Sequence, residues 1–334
     1  MHSFIRGCAR NAFVAWLFLA PPAHAQKPPL PGNYPNKPIR LLVGFPPGGG
    51  NDGMARLVAQ KLTERWGSTV VVENRPGGSG VVLMQLLAAA PPDGYTIALG
   101  GSQLATATLK ERVLSQSNID VRTAYVPIVQ LSYQPYVWLV TPSLPVQSVK
   151  ELVAYARARP GTLNYSTSGT ITVSFLSMEQ IKRILGIQIV SVPYKGTNQQ
   201  MIDLVAGQVQ MSILNMFSAS NNIRSGKLRA IAVTSLTRSR AFPDLPTLSE
   251  SGVPGFELVS WYGLFAPART PQAIILALNH AATEIVNVPE IKDRLSADTS
   301  ETMGPNTPAQ FRAFFNDEIN RWENFVKTAG IKLD

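Results

Sequence analysis

At 334 residues the chain is too long for one small hydrophobic core and suits two lobes. Its 45% apolar and 15% charged residues form a globular balance that excludes a disordered chain. The formal charge of +9 is scattered, with no run of Lys and Arg and no basic stripe interleaved with aromatics. That pattern argues against a nucleic-acid partner and for a solvated surface with a mild pull on anions.

The first 25 residues read as a secretory signal peptide. Arg6 and Arg10 supply the positive start, Ala12 to Ala20 is an apolar run too short to span a bilayer, and Pro21-Pro22 breaks it. Ala23-His24-Ala25 fits a cleavage site, which places the mature start at Gln26 and leaves a charge of +7. Cys8, the only cysteine, precedes the apolar run, so neither a lipid anchor nor a disulfide is expected.

After a Pro-rich lead, Ile39 to Val43 is a short apolar strand, Asp52 to Trp66 a helix, Thr69 to Val72 a strand, Gly80 to Ala90 a helix and Tyr95 to Leu99 a strand. This βαβαβ order predicts a parallel sheet covered by helices. Tyr125 to Thr141 is a long apolar extended stretch suited to crossing from one lobe to another. Helices over Val149–Arg157, Val173–Leu185 and Asn198–Ala206 then alternate with strands at Thr162–Tyr165, Gln188–Pro193, Val209–Leu214 and Leu228–Thr234. Thr197 and Gln200 have the spacing of a capping box. Phe256 to Pro267 reads as the crossing back, and helices over Pro271–Val286 and Thr307–Ala329 close the chain, the last ending at Gly330. The expected organisation is a signal peptide over 1–25, one lobe from 26–129 and 251–334, and a second lobe from 130–250. Two crossings, at about 128–140 and 256–266, would form a hinge.

The strongest local feature is Phe45-Pro46-Pro47-Gly48-Gly49-Gly50-Asn51-Asp52, between a strand and a helix. Glycines let backbone N–H groups approach a ligand, and a helix N-terminus adds unpaired donors and partial positive charge, so this is an anion site without a basic side chain. Gly48-x-Gly50-x-x-Gly53 with Glu73 also fits a dinucleotide fingerprint. Pro46-Pro47 stiffens the turn, and the signal peptide leads away from cytoplasmic nicotinamide cofactors, so no cofactor is expected. Three more strand-end loops share the design: Gly100-Gly101-Ser102, Ser166 to Thr172, and Tyr194 to Thr197. Their hydroxyls and amides suit carboxylate oxygens, which only accept hydrogen bonds. After cleavage the one histidine is His280 and no cysteine remains, which excludes an ordinary catalytic triad on any other histidine, a Cys nucleophile and most zinc sites, so that no metal is expected and an enzyme is argued against.

Along its whole mature length the chain resembles the Bug-type solute-binding proteins of tripartite tricarboxylate transporters. The resemblance rests on Tyr34-Pro-Asn-Lys-Pro-Ile-Arg40, Phe45 to Asp52, Val72-Glu-Asn-Arg-Pro-Gly-Gly78, Pro92-Asp-Gly-Tyr95 and Ala158-Arg-Pro-Gly161 with Leu163-Asn-Tyr165. It continues in Val192-Pro-Tyr-Lys-Gly196, Gly226-Lys-Leu-Arg-Ala230, Phe242-Pro-Asp-Leu-Pro-Thr247, Ser260-Trp-Tyr-Gly263 and Ala329-Gly-Ile331. It implies an α/β type II periplasmic-binding fold and a periplasmic receptor that hands a small carboxylate to membrane transporter subunits; a monomer is expected. Carried onto this chain, it points to Phe45, Gly48, Gly49, Gly50 and Asn51 as ligand contacts, with Ser102, Ser166, Thr167, Ser168, Thr170 and Asn215, and to Asp52 as loop organiser. An orphan sensor feeding a signalling receptor fits the same residues. The chain departs from the family pattern at Gln210 and Leu214, where acidic residues are common, and at Phe175, where a histidine is common. These changes predict a less polar cleft and a ligand with one carboxylate on an apolar or aromatic body.

Overall fold

The computed structural model describes residues 32–48, 50–77, 80–109, 119–167, 172–194, 197–297 and 300–331. The signal peptide, Gly49, Ser168 and Thr170 lie outside the described residues.

The first half opens with β1 (Ile39–Val43), α1 (Gly50–Trp66), β2 (Val70–Asn74), α2 (Val81–Ala88), β3 (Thr96–Gly101) and the short α3 (Ser102–Thr106). Apart from Arg40, β1 and β3 are buried on both faces, as expected of parallel strands covered by helices. β1 pairs in parallel with β2 and β3, which puts the carboxyl ends of all three on one edge.

β4 (Tyr125–Val140) is 16 residues long and runs through both halves of the sheet. Its first part pairs antiparallel with β9 (Val259–Pro267), as far as Pro135 opposite Val259. From Tyr136 onward it pairs instead with β7 (Met211–Asn215) and β8 (Arg229–Val233). The switch falls at Pro135, which has no N–H to give to a ladder.

The second half contains α4 (Val149–Ala158), β5 (Asn164–Thr167), α5 (Val173–Leu185), β6 (Val190–Pro193), α6 (Thr197–Val205) and α7 (Met216–Arg224). β5 pairs in parallel with β6 and β7. α5 shows how the sequence forms such a helix. Met178, Ile181 and Leu185 recur on one buried face, Thr172 caps the start, and Gly186 ends it in the left-handed conformation. The chain finishes with α8 (Gln272–Asn287), α9 (Pro289–Ala297), β10 (Glu301–Thr302) and α10 (Pro308–Ala329). The strand order is β2-β1-β3-β9-β4-β7-β5-β6, with β8 and β10 also on β4.

Strand directions fix where the two halves meet. β3 and β4 are both antiparallel to β9, so β1 and β3 run toward the second half. β7 is antiparallel to β4 and β5 is parallel to β7, so these strands run back toward the first half. The carboxyl ends of both sets therefore converge on the junction at Tyr136.

Two expectations change. The return crossing does not include β9. That strand lies wholly in the first half, between β3 and β4, and its apolar character comes from burial there. The crossing back meets the junction at Thr234 and Leu258. Thr234, fully buried, accepts the Tyr136 N–H on its hydroxyl (2.8 Å) and donates that hydroxyl to the Leu258 carbonyl (2.6 Å). The capping box also forms elsewhere. No such pair of bonds is made at Thr197 among the described residues, because Gln200 points into the core; the box is built by Thr307 and Gln310 at the start of α10.

One core cluster joins the halves. It contains Leu42, Leu83 and Ala98 from the first, Trp138, Leu152 and Ile213 from the second, and Phe311, Phe315 and Trp322 of α10.

Candidate ligand-binding site

The first-half edge is organised by Asp52, in the first turn of α1 and 4% exposed. Its carboxylate accepts the Gly48 N–H at 2.9 Å, the Arg56 Nε–H at 2.9 Å and the Asn74 amide at 3.0 Å. The Asn74 amide also reaches the Phe45 carbonyl at 3.0 Å. The loop is thus tied to both the helix and β2. The guanidinium of Arg56, with help from the Gly48 and Asn74 donors, overcomes burial and holds the Asp52 carboxyl down at about 2. Gly48 sits at φ 88°, a conformation that favours glycine, and its N–H is taken by Asp52. The amides of Gly50 and Asn51, in the first turn of α1, have no intrahelical acceptor. The Oδ1 atom of Asn51 is buried without a partner.

Ser102 follows β3 and is buried, its hydroxyl accepting the Trp261 N–H at 3.2 Å. Beside it Gly101 packs so tightly that a Cβ would stand 2.6 Å from the Trp261 carbonyl. The next residue, Gln103, keeps a buried amide Nε2 without a partner. Sequence reasoning passed over Gln103; its signal is a lone amide directly after Gly-Gly-Ser at a strand end.

In the second half, Ser166 and Thr167 lie at the end of β5, both buried. The hydroxyl of Thr167 lies 3.3 Å from that of Thr172, the α5 cap, while the Ser166 hydroxyl has no partner. Asn215 ends β7 opposite Tyr136 and caps α7 by accepting the Phe217 N–H at 3.0 Å. The described candidate residues therefore divide between the two converging edges, with Phe45, Gly48, Gly50, Asn51 and Ser102 on one and Ser166, Thr167 and Asn215 on the other.

Two of the departures from the family pattern, Leu214 and Gln210, do not face this edge. Leu214 is 4% exposed and packs inside the second half with Val137, Leu139 and Leu204. Gln210 precedes β7, at the far end of that strand, where it accepts the Asn164 N–H at 2.9 Å and donates to the Gly207 carbonyl at 3.4 Å. Phe175 packs against the shared core. Leu214 and Gln210 therefore give no support to a less polar cleft.

Glu73, the acid of the dinucleotide fingerprint, is bound by Arg40 at 2.7 and 3.0 Å and by Arg75 at 3.1 Å, and its carboxyl is held down at about 2, chiefly by Arg40. It is committed to structure. His280 lies 3.4 Å from Glu284 on α8, away from both edges. An open groove of about 610 Å³ between α6 and α7 is lined by Met201, Ile202, Val205, Ala206, Asn222 and Lys227 and lacks the converging donors of the strand edges.

Two half-sheets whose carboxyl ends converge on a hinge, each edge furnished with amides and hydroxyls, define a two-lobed solute-binding protein. Residues 54–331 match the tripartite tricarboxylate transporter family receptor, and the chain belongs to that family. It is 35% identical to BugT of Bordetella pertussis over 321 residues, 96% of each chain. Among solved structures it is similar to R. palustris Rpa4515 with adipate (35% identity, TM-score 0.81, covering 90% of this chain and 100% of that one). It is also similar to MatC (Rpa3494) from Rhodopseudomonas palustris with bound malate (28% identity, TM-score 0.76, covering 88% and 100%). The matched family is described as one of receptors. No helix among the described residues is long and apolar enough to cross a membrane.

Proposed function

We propose that this chain is a periplasmic receptor, exported by its N-terminal signal, that closes two lobes around a small carboxylate and delivers it as a monomer to the membrane subunits of a tripartite tricarboxylate-type transporter. The observation that carries this reading is the convergence of the carboxyl ends of β1 and β3 with those of β5 and β7 at one hinge. In open α/β sheets ligands settle at such edges. The Gly48–Asn51 loop, with the α1 amides, grips a carboxylate from the first lobe. Ser102 supports it, and the segment from Ser166 to Thr170 with Asn215 closes from the second lobe. Closure follows only from contacts better made in the closed form. Adipate and malate in the related structures support a carboxylate as the ligand.

The test is a thermal-shift and calorimetric screen of residues 26–334 against aliphatic and aromatic mono-, di- and tricarboxylates, amino acids and NAD. A ligand that binds only the folded state raises the melting temperature by mass action. Saturable stabilisation by a carboxylate is expected. Stabilisation by NAD alone, or by no carboxylate after the protein is unfolded, stripped and refolded, would overturn the reading.

A further inference from the structure

Beneath α6 the second lobe buries two polar groups for which the fold supplies no partner. Gln200 is 1% exposed and its amide Nε2 makes no hydrogen bond. Ser166 is 2% exposed and its hydroxyl makes none either. They face the same layer. Gln200 lies one helical turn before Leu204, which is fully buried in the core under α6, so both point inward on one helix face. On β5, Ser166 alternates with Tyr165, whose ring belongs to the opposite core cluster, so Ser166 faces α6. Its register neighbours are Val192, which packs in that layer, and Ser212, whose hydroxyl donates to the Ser166 carbonyl at 3.1 Å.

The place matters as much as the burial. β6 runs parallel to β5, toward the hinge, and α6 follows it, so the first turns of α6 stand at the ligand edge. Leu204, deeper along the same helix, packs in the apolar cluster of this lobe; Gln200, nearer the hinge, does not need to be polar for the core to pack. A buried donor without an acceptor costs about as much as a lost hydrogen bond, so an apolar residue of similar size would stabilise the empty protein.

We propose that Gln200 is a specificity-determining residue, which together with Ser166 seats a hydrogen-bond-accepting group at the end of the ligand away from the Gly48–Asn51 loop. This rests on the receptor reading above. The chemistry asked of the ligand is a carboxylate at one end and a second acceptor, best a second carboxylate, at the other.

The experiment measures dissociation constants by calorimetry for α,ω-dicarboxylates from malonate to suberate, for the monocarboxylates of equal chain length, and for 6-aminohexanoate, whose far end only donates. The wild-type protein should prefer a diacid over its matched monoacid and over 6-aminohexanoate. Gln200→Leu and, independently, Gln200→Met and Ser166→Ala should each lower the diacid-to-monoacid affinity ratio by roughly tenfold to a hundredfold. Gln200→Leu should also raise the melting temperature of the ligand-free protein. Ile202→Ala, on the exposed face of the same helix, should leave the ratio unchanged. Equal losses for both ligand types, an unchanged ratio in folded variants, a wild type that binds only monoacids, or preference for 6-aminohexanoate would each overturn the proposal and leave the receptor reading standing. Failure of the wild type to bind any carboxylate would overturn both.

Discussion

Asp52 is a buried carboxyl group and Glu318 a largely buried one, and their surroundings move them in opposite directions. Asp52 is surrounded by the Arg56, Gly48 and Asn74 donors and is held at about 2. Glu318, on α10, is raised above its ordinary value because burial outweighs the Arg321 guanidinium and the indoles of Trp322 and Trp261 beside it. Linkage then fixes the signs. Asp52 binds fewer protons folded than unfolded near pH 3, so its contribution is complete above its unfolded value of 3.8 and is lost as the pH falls through about 2. Asp52→Asn should cost roughly 1–2 kcal/mol at neutral pH, a deficit that shrinks toward pH 2. Glu318 binds its proton more tightly folded, so stability declines as the pH rises from its unfolded value of 4.5 through the raised folded value. Glu318→Gln should therefore stabilise the protein at neutral pH and match the wild type in acid. Urea denaturation of both variants across the acid range checks this; parallel pH profiles for the two would refute it.

At the scale of elements, the hinge depends on one hydroxyl. Thr234 joins Tyr136 of β4 to Leu258 just before β9, and its backbone N–H reaches the Tyr136 carbonyl at 3.0 Å while its carbonyl accepts the Leu258 N–H at 2.8 Å. Thr234→Val keeps the shape and the backbone bonds but leaves the Tyr136 N–H and the Leu258 carbonyl unsatisfied. It should cost about 2–4 kcal/mol in chemical denaturation, and Thr234→Ser should recover most of that. The elements themselves were legible in the sequence where periodicity and caps agree: Val173–Leu185 was bounded to the residue, because its apolar spacing, Thr172 and Gly186 are all local signals. What a side chain faces was less legible. Leu214 and Gln210 invited a cleft reading, yet β7 turns one into the core and places the other at the wrong end of the strand. Thr197–Gln200 and Thr307–Gln310 carry the same pattern, and only long-range packing decides that Gln200 is drawn inward while Gln310 stays free to reach back. The glycine loop was visible, but not that Asp52 occupies the Gly48 amide, since that depends on Asn74 arriving from another strand.

The whole molecule has two lobes but shares a core between them. Residues of β1, α2 and β3 pack in one cluster with residues of β4, α4 and β7, and the aromatic face of α10 completes it through Phe311, Phe315 and Trp322. The helix also bonds to both sides: Arg122, just before β4, pairs with Glu323 at 2.7 Å, and Arg183 of α5 donates to the Ala329 carbonyl at its end. Separating the lobes would strip apolar surface from both, so neither should persist when the other unfolds. Scanning calorimetry of residues 26–334 should show one transition with calorimetric and van't Hoff enthalpies in a ratio of about 1. Truncation before α10 should abolish that single transition rather than remove one of two. Two resolved transitions in the intact chain would mean that the lobes fold independently and that the shared cluster is too weak to couple them. A single transition would mean that closure around a ligand is a bend about Tyr136 and Thr234 within one cooperative unit, so a bound carboxylate stabilises both lobes together.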